Sequence, residues 1–150
     1  MMKFPAGKRA IFRFISQLNI HYHESEAVRE SLTPQATLHF RRTLPAGRRV
    51  PNGKIDGSKS LFDLIGGYRF HVLVFTRRVT SDQEREKLRS AWQSSVQFDF
   101  KDHWFSLDPE NSELFQRFGV DEEAAFAIRP DGYVMTRTDS PPLLFANWSL

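Results

Sequence analysis

The stretch Phe118–Arg137, FGVDEEAAFAIRPDGYVMTR, decides the fold. Gly119 reads as a helix stop, and an apolar run follows from Ala124 to Ile128. The turn Arg129-Pro130-Asp131-Gly132 comes next, then a second strand from Tyr133 to Arg137. Proline sets φ for the turn and glycine takes its positive-φ position, so the segment predicts a β-hairpin.

Working upstream, Pro109 to Phe118 reads as a helix ended by Gly119, and Val96 to Phe100 alternates as a strand. Ser81-Asp82 caps a helix running to about Ser94, with Leu88, Ala91 and Trp92 on its inner side. Arg69 to Thr76, RFHVLVFT, is nearly continuous in apolar and β-branched residues, the mark of a strand covered on both faces. Ser60 to Ile65 reads as a helix turn, N-capped by Ser60 or Ser58, with Asp63 in its first turn and Gly66-Gly67 as its stop. From residue 60 the order is therefore helix, strand, helix, strand, helix, strand, strand. That order predicts an α/β, thioredoxin-like mixed sheet flanked by helices.

The N-terminal part is expected to form a helical and extended arm over residues 1–45, with the thioredoxin-like unit over 46–150. Ile11, Phe12, Phe14, Ile15 and Leu18 give residues 8–18 one apolar helical face. Asn19 to His23 reads as extended, Ser25 to Ser31 as a loop or short helix, and Leu38 to Leu44 alternates like a strand or extended arm. Pro45 to Ser58, rich in Gly, Pro and Arg, is the loosest region.

Composition excludes several classes. At 150 residues the chain fits one domain with a sizeable core. It has no cysteine, which removes disulfides, Cys-ligated zinc and thiol chemistry, so a thioredoxin-like fold here cannot do thioredoxin chemistry. A net charge of +3, mixed in sign, gives no argument for nucleic acid, and Arg41-Arg42, Arg48-Arg49 and Arg77-Arg78 read as solvated loop ends. No apolar run is long enough for a membrane span, and Arg9 and Arg13 interrupt any signal-peptide pattern, so a cytoplasmic protein is expected. The 14 Phe, 3 Trp and 3 Tyr suit a core, and also a pocket for a flat apolar ligand.

The wording of the hairpin resembles the C-terminal thioredoxin-like domain of FAD-dependent aromatic-ring hydroxylases of the phenol hydroxylase type. There, RPDGY and a short strand ending in Arg close the sheet. Gly47-Arg48-Arg49-Val50-Pro51 looks like the family's entry loop, and Asp56-Gly57 with Leu61-Phe62-Asp63-Leu64 looks like the pair and helix that follow. Ile15 to Tyr22 is similar to the segment just after the flavin and substrate domains, so the resemblance covers roughly residues 15–137. The Gly-x-Gly-x-x-Gly flavin turn has no counterpart in this chain. The resemblance thus implies a fold, no bound cofactor and no catalytic residue. In its relatives the domain is implied to serve subunit packing or to cover the active site.

The residues themselves offer two candidates for chemistry. His71, amid an apolar strand, is either a core histidine satisfied by one hydrogen bond or a general acid or base. Asp99, in the strand expected at Val96–Phe100, is either a desolvated carboxylate with a raised pKa or an edge position open to water. His21 and His23 share a strand face at i, i+2 but lack a third ligand, which leaves no metal site. His103 reads as loop surface, and Asp131 and Gly132 as turn residues.

Two function classes follow. The first is a cofactor-free protein that binds a small aromatic or polyketide-like molecule, acting as an acid/base cyclase or isomerase through His71 and Asp99. Its motive is the expectation that a Met-started chain with this domain alone acts by itself. The second is a non-catalytic module that forms a homodimer or pairs with a flavin monooxygenase. A third reading makes the chain a piece of a longer enzyme.

Overall fold

A computed structural model describes residues 30–55 and 59–146. Its centre is β3, Phe70–Thr76, the apolar run of the sequence, buried from Phe70 through Phe75. On one side β3 pairs in parallel with β4, Phe100–Ser106; on the other it pairs antiparallel with β5, Ala124–Ile128. The antiparallel partner of β5 is β6, Val134–Thr138, giving the sheet order β4-β3-β5-β6. Two parallel strands joined through a helix and closed by an antiparallel hairpin make the thioredoxin-like order the pattern predicts.

Both faces of the sheet are covered, which is why β3 is apolar but for His71 and Thr76. Phe70, Val72 and Val74 pack under α3, Asp82–Ser95, in a cluster with Trp92, Met135, Leu144 and Phe145. Leu73 and Phe75 face α1, Leu38–Thr43, and α4, Ser112–Phe118. The Phe75 ring lies 5.0–5.6 Å from Phe105, Phe115, Phe118 and Phe126, and with Phe40 these rings bring six of the 14 phenylalanines into this core. A short antiparallel pair, β1 Lys54–Ile55 and β2 Lys59–Ser60, leads into α2, Leu61–Leu64. Asp63 accepts from the Ser60 backbone N–H at 2.9 Å, as the sequence of the cap predicts.

Several expectations are corrected. Leu38 to Leu44 is helical, not extended: the Thr37 hydroxyl caps the Phe40 N–H at 3.1 Å, and the buried residues Phe40 and Leu44 stand four apart. The second parallel strand lies at Phe100–Ser106, not Val96–Phe100. An edge strand is paired on one side only, so β4 tolerates Lys101 and Asp102 and does not look like a strand. The α3 face is also narrower than expected: Trp92 is buried and Leu88 half-buried, but Ala91 is exposed. The last helix begins at Ser112, after a turn in which the Asp108 carboxylate accepts from the N–H groups of Glu110 and Asn111. The helix over residues 8–18, the extended stretch at Asn19–His23 and almost all of Ser25–Ser31 lie outside the described residues.

The described part of the N-terminal segment is fastened to the edge of β6. Ser31 donates its N–H to the Arg137 carbonyl at 3.0 Å, and the Thr138 hydroxyl donates to the Ser31 carbonyl at 2.6 Å. Arg137 is fully buried on the α1 face. Its Nε meets Glu30 at 2.8 Å, its Nη2 meets the Arg41 carbonyl at 2.7 Å, and its Nη1 donates to the Phe40 carbonyl. The guanidinium carbon also sits 4.6 Å from the centre of the Phe40 ring. One buried cation therefore caps the end of α1 and closes the sheet edge.

Candidate functional site

β3 and β4 run in parallel and in register, with Leu73 opposite His103 and His71 opposite Lys101. This places His71 and His103 two residues apart along one face. Nδ1 of His71 lies 3.0 Å from Nε2 of His103, and the rings are nearly parallel with centroids 5.1 Å apart. His71 is 2% exposed and His103 9%. Nε2 of His71 has no hydrogen-bond partner. The pair needs one shared proton, and an orphaned lone pair costs less than an orphaned N–H. We therefore assign the proton to Nδ1 of His71, which donates to His103.

Burial, followed by the positive charge of His103, Arg69 and Lys101, drives His71 down to about 4. His103 is lowered too, first by burial and then by Lys101, against a pull upward from Asp102. At neutral pH the pair is uncharged. An imidazole this acidic is a weak base, well away from the value near operating pH that general acid–base work favours.

Asp99 is exposed in the bend before β4, outside the ladder. The carboxylate that β4 does hold is Asp102. Burial would raise it, but hydrogen bonds from Arg89 and Trp104 outweigh that and leave it lowered. Arg89 Nε and Nη2 reach its two oxygens at 2.8 and 2.7 Å, and Trp104 Nε1 reaches Oδ2 at 2.6 Å. This fork ties α3 to the sheet edge. His21 and His23 lie outside the described residues. Among the described residues no group of three or more His, Asp or Glu side chains can hold a metal ion. None of the helices described is long and apolar enough to cross a membrane.

The hairpin turn is built as its sequence states, with one addition. Gly132 has φ +89°, and its N–H donates to the Arg129 carbonyl at 2.9 Å. Arg129, almost wholly buried, grips Asp131 with Nε at 3.0 Å and Nη2 at 2.9 Å, and lies 5.1 Å from the centre of the Tyr133 ring. Asp131 and Arg129 thus act as a lock on the turn. Among the described residues three grooves stand out on the surface. One of about 270 Å³ lies between this turn and α2, lined by Arg49, Phe62, Ile65 and Pro130. A second, about 600 Å³, lies at the carboxyl ends of β3 and β4 between Arg78, Leu88, Trp104 and Pro142. The third, about 330 Å³, has acidic walls of Asp121, Glu122, Glu123 and Asp139. Neither histidine lines any of them.

Sequence reasoning missed His103, Arg137 and Asp102 as structural groups. For His103 a signal existed: His103 and Phe105 are the buried residues of FKDHWFS and stand at strand spacing. For Arg137 there was none, because its partner Glu30 is over a hundred residues away in sequence.

The architecture defines a thioredoxin-like mixed α/β domain without thiols. Among solved structures it is similar to PieE, a flavin-dependent monooxygenase determined with FAD and substrate. The TM-score is 0.58 with 20% identity, over 83% of this chain and 24% of that one. Aklavinone-11 hydroxylase, solved with FAD and aklavinone, aligns with a TM-score of 0.46 and 24% identity over 61% of this chain and 17% of its own. RebC aligns at 0.47 and 19% over 93% and 27%. The chain thus spans about a quarter of the length of the monooxygenase it matches best among these three. A scan against protein-family models finds no match, and neither does a search of curated proteins.

Proposed function

We propose that this chain is a non-catalytic accessory module that associates with a flavin-dependent monooxygenase. The observation that carries the reading is the shared architecture with one quarter of PieE. In that chain the corresponding fold belongs to a flavin-dependent monooxygenase that binds FAD and substrate; here the flavin and the substrate would both sit on the partner. Two features of the site support it. His71 is closed off by His103 and uncharged at neutral pH, and Asp99 stands in an exposed bend. A cofactor-free cyclase or isomerase working through these two residues would need substrate to reach an imidazole that is 2% exposed.

The test is assembly. The purified chain is mixed with flavin-dependent monooxygenases of its own host and followed by size-exclusion chromatography with light scattering and flavin absorbance. Comigration of flavin with the chain is the expected result. Elution apart from every such enzyme, together with turnover of a phenolic or polyketide compound by the chain alone, would refute the reading in favour of the cyclase.

A further inference from the structure

The described residues hold two pairs in which glycine follows asparagine or aspartate, Asn52-Gly53 and Asp131-Gly132, and the fold treats them oppositely. Glycine leaves its own backbone nitrogen uncrowded, so that nitrogen can attack the preceding side-chain Cγ and close a five-membered imide. The attack needs a free nitrogen, an electrophilic Cγ and access for water.

At Asp131-Gly132 the first two are lacking. The Gly132 N–H donates to the Arg129 carbonyl at 2.9 Å. Both oxygens of Asp131 are gripped by Arg129, at 3.0 and 2.9 Å, and a carboxylate held as an anion is a poor electrophile. At Asn52-Gly53 all three requirements are met. The Gly53 N–H donates to no acceptor among the described residues. Asn52 Oδ1 accepts the Phe62 N–H, from the first turn of α2, at 3.1 Å. That donor draws charge from Cγ and stands where negative charge develops as the nitrogen adds. Asn52 is exposed, so water reaches it. Packing also fixes glycine at 53, since an added Cβ would lie 3.0 Å from Leu114 Cδ1.

We propose that Asn52-Gly53 is a self-modification site, at which the folded chain loses ammonia. The Gly53 nitrogen bonds to Asn52 Cγ, the Cγ–Nδ2 bond breaks, and the amide leaves as ammonia with the proton of the Gly53 nitrogen. Water, the one co-reactant, then opens the imide at either carbonyl. Opening at Cγ restores the ordinary main chain and leaves aspartate at position 52. Opening at the main-chain carbonyl leaves an isoaspartyl link, in which Cγ carries the chain.

The two products differ in their effect on the fold. Aspartate keeps an oxygen for the Phe62 N–H and adds negative charge at the start of α2. The isoaspartyl link lengthens the main chain between two held points. On one side the Val50 N–H meets the Gly132 carbonyl at 2.9 Å, and on the other the Gly53 carbonyl takes the Leu61 N–H at 2.9 Å.

The experiment ages the full chain, folded by circular dichroism, in neutral and in mildly alkaline buffer beside a blocked peptide of residues 50–54. Trypsin cuts after Arg49 and Lys54, so mass spectrometry reads Asn52 apart from Asp56-Gly57, Asn111 and Asp131. An isoaspartyl carboxyl methyltransferase with a labelled methyl donor reads the isoaspartyl share. Asn111 is the internal control, its Nδ2 donating to the Ser106 carbonyl at 3.0 Å and its neighbour Ser112 opening α4.

The expected result is conversion of Asn52 in the folded chain at least as fast as in the peptide, and faster in the alkaline buffer. Asn111 amide loss and Asp131 isomerisation should each run at least about tenfold slower. The methylated fraction should melt below the parent, and Asn52→Asp should melt with it. An intact Asn52 in the folded chain once the peptide has converted would overturn the proposal. So would conversion of Asn111 at the same rate.

Discussion

Lowering the pH from about 7.5 to about 5 should cost the folded protein roughly 2 kcal/mol through His71 alone. The cause is burial first, reinforced by His103, Arg69 and Lys101, which together hold the imidazole down at about 4 against an ordinary 6.5. The unfolded chain takes up this proton as pH falls through 6.5, while the folded chain refuses it until about 4. Stability is thus fully present above 6.5, drains away as pH falls towards 4, and changes no further through this group below that. At pH 5 the unfolded imidazole is almost wholly charged and the folded one almost wholly neutral. The difference is about one and a half powers of ten in the folding equilibrium, hence roughly 2 kcal/mol. His103, lowered mainly by burial, adds with the same sign. Asp102, held below its ordinary value of 3.8, acts only at lower pH.

The assay is urea denaturation at both pH values, for the parent and for the double variant His71→Leu with His103→Leu. Replacing one histidine would leave the other with an unpaired buried nitrogen, whereas replacing both with apolar groups of similar volume is nearly neutral. The parent midpoint should fall between the two conditions while that of the double variant holds. An equal fall in both proteins, or none in the parent, would refute the assignment of a neutral, desolvated pair.

Arg137→Met should cost about 1–3 kcal/mol, because it leaves the Phe40 and Arg41 carbonyls at the end of α1 without their donor, while Glu30 keeps the Ala46 N–H; thermal melts would read the loss. Arg137→Lys should recover little of it, since an ammonium cannot span Glu30, Phe40 and Arg41 together. Gly119→Ala should destabilise by more than about 1 kcal/mol, since φ is +71° and its Cβ would lie 2.5 Å from the Thr43 Cβ. Adding Thr43→Ala should relieve only part of that loss in a double-mutant cycle, because the backbone strain remains. Trp92→Phe should cost about 1–2 kcal/mol by chemical denaturation, as Nε1 would no longer donate at 2.9 Å to the buried Pro141 carbonyl.

The hairpin and the central strand were legible because local rules and the tertiary role agree there. Gly132 needs positive φ and has it, and RFHVLVFT needs cover on both faces and has it. β4 was not legible, because its residues answer to different neighbours. Asp102 is charged for Arg89 on α3, His103 is polar for His71 on β3, and only Phe105 reports the core. No local pattern combines these demands. Leu38 to Leu44 fits both a period of two and a spacing of four, and the choice falls to Thr37 as a cap and to Arg137 at the far end.

The same division explains why the candidate site moved. A polar residue inside an apolar strand stands out in sequence, so His71 draws the eye. Its Nδ1 is nevertheless satisfied internally, by a second histidine that only the parallel register of β3 and β4 brings within 3.0 Å. Each buried polar group that finds a partner inside the fold is removed from chemistry with anything outside it. Arg129 and Arg137 are likewise consumed, by Asp131 and by Glu30.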